Sequence, residues 1–289
     1  MKVAITGASG QLGRELQRTF LEAGTQFVAK NRVQLDITNA QKISDFLDES
    51  RPEWLVNCAA YAKVDQAEFE IEESLRANAE APHVLAQLCR DKGTKLIHIS
   101  TDSVFSSEVP AIFSINHRTN PINQYSKSKA LGEELVLNHY SDGAWIIRTS
   151  WLYGEFGGKF VHTIVDKMND KEHLQVVNDQ FGQPTNTKDL ANYIYALILH
   201  APHPGIYHFA GEGYVSRCNF AKQIITNLGG DASRVIGVET VGQKSMAIRP
   251  KYSLLELENS SFPSLQYLYN WEDSLVQFTN HMKAVKSVE

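Results

Sequence analysis

Cysteine is scarce in this chain, with three residues among 289. Cys58, Cys89 and Cys218 are odd in number and far apart, which excludes a disulfide framework or a zinc-site spacing and fits reduced core thiols. Long apolar runs are missing too. No stretch approaches the roughly 18 residues of a membrane span, and the apolar N-terminal segment is a short strand, not a signal-peptide core. Basic charge is not in excess: the net charge is −5, and Lys and Arg form no stripe that would receive a nucleic acid. His200 and His203 lie in a His-Ala-Pro-His-Pro stretch whose prolines read as a loop, so no metal site is expected. What remains is a globular chain with 43 % hydrophobic residues, expected in the cytoplasm, with no membrane or nucleic acid partner. Its length suits one sizeable domain plus a smaller one.

Against these absences, glycine is concentrated at one place. Lys2-Val3-Ala4-Ile5-Thr6 runs into Gly7-Ala8-Ser9-Gly10-Gln11-Leu12-Gly13, with a glycine at every third position. Val3 and Ile5 alternate as in a strand. Leu12, Leu16, Phe20 and Leu21 then recur at helical spacing until Gly24, which suits a helix C-terminus. A Cβ at Gly7 or Gly10 would obstruct the tight turn or hold the backbone away from a pyrophosphate, and Gly13 lets the helix lie close to the sheet. The free N–H groups of that helix start then face the phosphates.

Strands are expected at Gln26 to Ala29, Trp54 to Cys58, Lys95 to Ser100 and Ala144 to Thr149, separated by helices at Ala40 to Glu49 and Glu72 to Lys92. This is the alternation of an α/β fold with a Rossmann-type, doubly wound parallel sheet. Residues that follow the strands therefore gather on one sheet edge: Lys30, Ala59 to Tyr61, Thr101 and Asp102, Ser150 and Trp151. Beyond residue 150 the pattern loosens. Helices near Phe160 to Met168, Lys188 to Leu199, Arg217 to Leu228 and Glu272 to Val285 alternate with short strands at Leu174 to Val177, Ile206 to Phe209 and Val235 to Glu239. We expect residues 1–150 to form the dinucleotide-binding domain and 151–289 mainly a smaller α/β substrate-binding domain, with some elements exchanged between them.

Two further features carry chemistry. Tyr125 and Lys129, four apart at the start of an expected helix after Pro121, share one helix face. A nearby ammonium favours the ionised phenol, so the pair can exchange a proton with a carbonyl or alkoxide oxygen. An exposed helix pair would look the same. Ser100-Thr101-Asp102 follows a central strand directly, where a hydroxyl can bond a substrate carbonyl oxygen or simply cap a helix. A glycine cradle, a hydroxyl after a central strand and a Tyr/Lys pair about 24 residues later together form one constellation, far less common by chance than any single match.

With these residues in place the chain resembles the extended short-chain dehydrogenase/reductase superfamily, and within it the dTDP-4-dehydrorhamnose reductase family. The resemblance runs nearly end to end. It includes Gly10-Gln11-Leu12-Gly13, Leu35-Asp36-Ile37-Thr38-Asn39, Asn57-Cys58-Ala59-Ala60-Tyr61 with Val64-Asp65-Gln66-Ala67-Glu68, and Ser100-Thr101-Asp102. It continues through Arg148-Thr149-Ser150-Trp151-Leu152-Tyr153-Gly154, Asp179-Gln180-Phe181-Gly182-Gln183-Pro184-Thr185 and Arg249-Pro250-Lys251-Tyr252-Ser253. The resemblance implies reduction of a nucleotide-activated 4-keto sugar, dTDP-4-dehydro-L-rhamnose, by NADPH. It places Gly10, Gln11 and Leu12 at the pyrophosphate, Asp36 and Ile37 at the adenine, and Ala59, Ala60 and Tyr61 along the cofactor. Lys129 would hold the nicotinamide ribose. Tyr125 would be the proton donor, with Thr101 as its hydroxyl partner. Asp102 and Trp151 match positions that contact the nucleotide sugar, as does Val64. Arg249 would serve the diphosphate or nucleotide end, or be structural.

The chain departs from the family pattern at several positions. Ser103 stands where Tyr is usual, Ser106-Ser107 where Asp-Gly is usual, and Ser126 where Gly follows the catalytic Tyr; Asn116-His117 fall in a stretch that is usually acidic. No catalytic group is lost, but the substrate wall is altered. Ser103 also cannot supply the base that the dehydratases of this superfamily place after their Thr-Asp pair. The second strand runs into Lys30-Asn31-Arg32, and a cation there accommodates a 2′-phosphate, so NADP(H) is expected over NADH with Lys30 or Arg32 at that phosphate. An epimerase or a noncatalytic NADP-binding subunit would carry much of the same sequence. The chain is expected to be a monomer or homodimer.

Overall fold

The structure is a computed structural model, and it describes residues 1–157, 159–168, 170, 172–240, 246–257 and 269–286. Six strands form its central parallel sheet: Lys2–Thr6, Gln26–Lys30, Trp54–Asn57, Lys95–Thr101, Ala144–Thr149 and Gly205–His208. In space they lie in the order second, first, third, fourth, fifth, sixth. The chain therefore reverses direction across the sheet between the first and third strands. A crevice opens there beyond the carboxyl ends, the place where open α/β sheets bind ligands.

Alternation within the strands explains why the sheet is buried on both faces. Val3 and Ile5 join Leu12, Leu16 and Phe20 on one side, where the helices Gln11–Glu22 and Thr187–His200 pack. Ala4 and Leu55 point the other way, into Ile43, Leu47, Leu85 and Val136 of the helices Ala40–Ser50, Ala81–Asp91 and Gln124–Tyr140. A fully buried Leu, Ile or Val contributes about 1.5–3 kcal/mol. These two layers anchor the sheet whose upper edge carries the site.

Three further features shape the fold, and only the second departs from the sequence expectation. The strand Gly205–His208 pairs in parallel with Ala144–Thr149 and completes the large sheet, so the chain returns to it after residue 150. The long helix expected from Glu72 to Lys92 contains a π-helical turn, Arg76–Glu80, between Ile71–Leu75 and Ala81–Asp91. Its wider winding turns Asn78 inward, where the side chain accepts from the Tyr61 N–H at 2.8 Å and donates to Ser128 at 3.0 Å. A third core, built on Tyr153, Ile164, Phe220, Ile224 and Leu275, lies outside the sheet layers, with the small parallel pair Leu174–Val177 and Val235–Val238 beside it.

Candidate active site

The first strand runs into Gly7, whose φ of +67° suits glycine, and a Cβ there would come within 2.7 Å of the Ala59 nitrogen. The loops after the first and third strands thus touch at the crevice. Gly13 is constrained differently: its Cβ would meet the Gly7 carbonyl oxygen, so the helix start is pressed onto the loop itself. Gly10 occupies the N-cap of this helix and offers no side-chain cap, whereas Asn39, Asn123, Asn186 and Ser216 each cap a later helix. A helix start without a side-chain cap keeps its N–H groups for another acceptor.

Two adjoining cavities open from this loop, and they share Gly10, Cys58 and Ala60. The first, of about 250 Å³, is lined by Gly7, Asp36, Ile37, Ala59 and Tyr61, together with Arg32 and Arg76. Asp36 accepts from the Thr38 N–H at 3.0 Å, and that bond holds its carboxyl below the ordinary range. The second, of about 410 Å³, brings together Gln11, Leu12, Thr101, Asp102, Tyr125, Lys129 and Trp151. Residues from four separate strand ends and one helix therefore converge. Lys30, Val64 and Arg249 line neither cavity. Lys30 ends its strand and accepts from Ala8 through its carbonyl at 3.1 Å. Arg249 is held by both carboxylate oxygens of Asp65 at 3.0 Å and by the Ala247 carbonyl.

Tyr125 and Lys129 stand on the first turns of the helix Gln124–Tyr140, whose start Asn123 caps by accepting from the Ser126 N–H at 2.8 Å. Burial pushes the Tyr125 phenol up to about 12, against a hydrogen bond from Thr101, and the Asp102 carboxylate adds to the rise. The lysine alone, read from the sequence, points in the opposite direction. Lys129 is itself almost fully buried and is lowered to about 8 by desolvation, with Glu133 acting against the fall. Its ammonium donates to the Ile99 carbonyl at 2.7 Å. At neutral pH Tyr125 keeps its proton, the state a proton donor requires.

Thr101 caps the short turn after its strand, accepting from the Ser103 N–H at 3.2 Å, and its hydroxyl lies 3.1 Å from Asp102 Oδ1. Asp102 also accepts from Ser253 at 2.6 Å, yet burial pushes its carboxyl up to about 6. Trp151 has a φ of +41°, rare for a bulky side chain, and its indole lies against Gly182, where a Cβ would collide with it. Over that indole stands the Arg217 guanidinium, 4.0 Å away. Burial lowers Arg217 to about 10, while Asp102 acts in the opposite sense. Sequence reasoning misses Arg217 because a cation at the first position of a helix carries no local mark of its tertiary neighbours. It misses Arg76 for a related reason, since nothing local in the sequence shows that this helical residue lines the first cavity.

A family model described as the RmlD substrate binding domain matches residues 1–284. The chain belongs to this family. It is an oxidoreductase with the extended short-chain dehydrogenase/reductase fold. A dTDP-4-dehydrorhamnose reductase of Streptomyces griseus is 36 % identical over 277 residues, covering 94 % of this chain and 91 % of its own. A dTDP-4-keto-6-deoxy-D-glucose reductase of Streptomyces niveus is 35 % identical over 273 residues, with 94 % of both chains covered. Among solved structures, the dTDP-4-dehydrorhamnose reductase of Bacillus anthracis in complex with NADP superposes with a TM-score of 0.92 at 36 % identity. That match covers 97 % of this chain and 99 % of the other.

Proposed function

We propose that this RmlD-family chain uses NADP(H) to reduce the 4-keto group of dTDP-4-dehydro-L-rhamnose, giving dTDP-L-rhamnose. The observation that carries the reading is the single cavity in which Thr101, Tyr125 and Lys129 meet the helix start Gly10 to Gly13. The Gly7 turn, which a Cβ would fill, and the helix start without a side-chain cap fit a dinucleotide's pyrophosphate. Gly10, Gln11 and Leu12 would hold that group. Asp36, Ile37, Ala59, Ala60 and Tyr61 would line the adenosine half, with Arg32 at the 2′-phosphate. When bound, the dinucleotide supplies the two electrons of the reduction as a hydride.

The protein's own residues manage the proton and the charge. Negative charge develops on the C4 oxygen, where the Thr101 hydroxyl donates a hydrogen bond and Tyr125 delivers its proton. A phenol held near 12 is a weak acid in the free site, but an alkoxide is a stronger base still, so transfer runs toward the sugar. Lys129 grips the ribose, and in its ammonium form it stabilises the phenolate left on Tyr125. Asp102 and Trp151 meet the sugar. Arg217, stacked on Trp151, supplies a cation for the substrate diphosphate.

The Streptomyces niveus relative, at nearly the same identity, is named for a different 4-keto sugar, which favours a second reading: a reductase of another dTDP-4-keto sugar. NADPH oxidation with dTDP-4-dehydro-L-rhamnose, set beside dTDP-4-keto-6-deoxy-D-glucose, separates the two. Faster turnover of the first supports the proposal, and faster turnover of the second replaces it. Absence of NADPH oxidation with either substrate would refute both and favour a noncatalytic NADP-binding subunit.

A further inference from the structure

Beneath Lys129 lies a buried histidine that the reaction as described does not use. His98 sits in the central strand Lys95–Thr101 with no exposed surface. Its Nδ1 is 3.0 Å from the Asn57 amide nitrogen, and its Nε2 is 3.3 Å from the Lys129 nitrogen. The Asn57 amide can be oriented from its other neighbours. The Ala59 backbone N–H, which can only donate, points at Asn57 Oδ1 at 3.2 Å, and the Thr6 hydroxyl donates to the same oxygen at 2.6 Å. The opposite end of the amide is therefore the NH₂ group, and it donates to His98 Nδ1.

That assignment fixes the tautomer. A neutral imidazole that accepts at Nδ1 carries its proton on Nε2. His98 is held neutral by burial, which pushes its pKa well below the ordinary histidine value, with the Lys129 charge acting the same way. Its Nε2–H then faces the Lys129 nitrogen. An ammonium has three donors and no lone pair, so two donors would confront each other there. An amine, in contrast, accepts from His98 and still donates to the Ile99 carbonyl at 2.7 Å.

We propose that His98, oriented by Asn57, is a positioning residue that favours the amine form of Lys129 and so makes the lysine proton easy to give up. After Tyr125 has delivered its proton to the sugar oxygen, Lys129 returns one to the phenolate. The Lys129 N–H bond breaks, the phenol O–H bond forms, and the amine lone pair then accepts the His98 Nε2–H. The amine regains a proton from hydronium or a buffer acid at the cleft, and this is the one solvent proton that the reduction takes up with the hydride. Other groups around Lys129 do not replace His98 in this role: Glu133 favours the ammonium, and the Cys58 thiol, pushed up to about 12 by burial, is uncharged. The relay rests on the proposed reductase reading, whereas the tautomer does not.

The test uses the free, full-length protein carrying ¹⁵N-labelled histidine and ¹³C-labelled lysine side chains. NMR of the wild type is expected to show His98 protonated at Nε2, and Lys129 titrating below the other lysines. His98→Leu removes the opposing donor and should move the Lys129 inflection upward by about one pH unit. His98→Gln assigns the resonances if the leucine variant does not fold. An Nδ1-protonated His98, or a Lys129 inflection that stays put or falls in the variant, overturns the proposal. Because the readout needs no turnover, its failure is distinct from failure of the NADPH oxidation assay.

Discussion

Ser126 donates a hydrogen bond to Ser103 at 2.9 Å, and Ser103 lies 3.1 Å from the Thr101 hydroxyl. Both stand at positions that the sequence reading sets apart from the resembled family, and the structure joins them in one hydrogen-bond chain. With Ser126 as donor to Ser103 and Ser103 as donor to Thr101, Thr101 keeps its single proton as a donor: in the free protein it goes to Asp102 Oδ1 at 3.1 Å, and a substrate oxygen would compete with that carboxylate for it. Ser126 is fully buried, so the chain starts from a hydroxyl with no water to compete for it. Removing its first or second member should weaken Thr101 as a donor without touching cofactor binding. Ser103→Ala and Ser126→Ala are each expected to lower kcat by about two- to tenfold, the worth of one hydrogen bond. The double variant should lose little more than either single one. Additive losses, or an effect confined to KM for NADPH, would show that the serines act independently of Thr101.

Tyr125→Phe keeps the ring and removes the proton. Its kcat should fall by about 10²- to 10⁴-fold, the usual worth of a positioned proton donor. NADPH affinity, measured by fluorescence titration, should hardly change, because the pyrophosphate loop lies on another strand end. A variant with near-normal kcat would remove Tyr125 from the mechanism.

Much of this site was legible in the chain, for identifiable reasons. The four strands from Trp54, Lys95, Ala144 and Lys2 are buried on both faces, so their apolar runs stand out. The i, i+4 spacing of Tyr125 and Lys129 survives as geometry because a capped helix begins just before them. What was not legible depends on the surroundings. The direction of the Tyr125 shift is decided by burial, which a lysine four residues away does not reveal. Whether Lys30 or Arg32 faces the cleft depends on how the chain turns after its strand, and it is Arg32 that lines the cavity.

That placement yields a cofactor prediction. Arg32→Asp should raise KM for NADPH by about tenfold while leaving KM for NADH nearly unchanged, since one charge-assisted contact to the 2′-phosphate is lost. Lys30→Asp should do much less. If the Lys30 variant instead reverses the preference, the phosphate sits on the other side of the strand end.

A buried ion pair ties the helix Gln124–Tyr140, through Glu133, to Arg148 of the strand Ala144–Thr149. Arg148 donates to both oxygens of Glu133, at 2.6 Å from Nη2 to Oε2, and Ser100 donates to Glu133 as well. Both partners are nearly inaccessible to solvent. Glu133→Ala leaves a buried guanidinium uncompensated and is expected to cost about 3–5 kcal/mol in urea unfolding. Glu133→Leu combined with Arg148→Met should recover much of that loss. Equal destabilisation of the single and double variants would mean that cavity formation, not charge, sets the cost.

Asp102 carries the opposite kind of electrostatic cost. Its carboxyl is raised to about 6 in the folded protein by burial, from an ordinary value of 3.8. Between those two values the folded chain holds a proton that the unfolded chain has released. Stability therefore falls as pH rises through this window, and the full cost is present above it. A rise of this size corresponds to about 2–3 kcal/mol. Asp102→Asn cannot ionise, so its melting temperature should exceed that of the wild type at pH 8, with the gap closing toward pH 4. Turnover should fall at the same time, because the carboxylate proposed to meet the sugar is gone. A stability gap that widens on acidification would contradict the sign, and would mean that the bonds from Thr101 and Ser253 outweigh burial at this position.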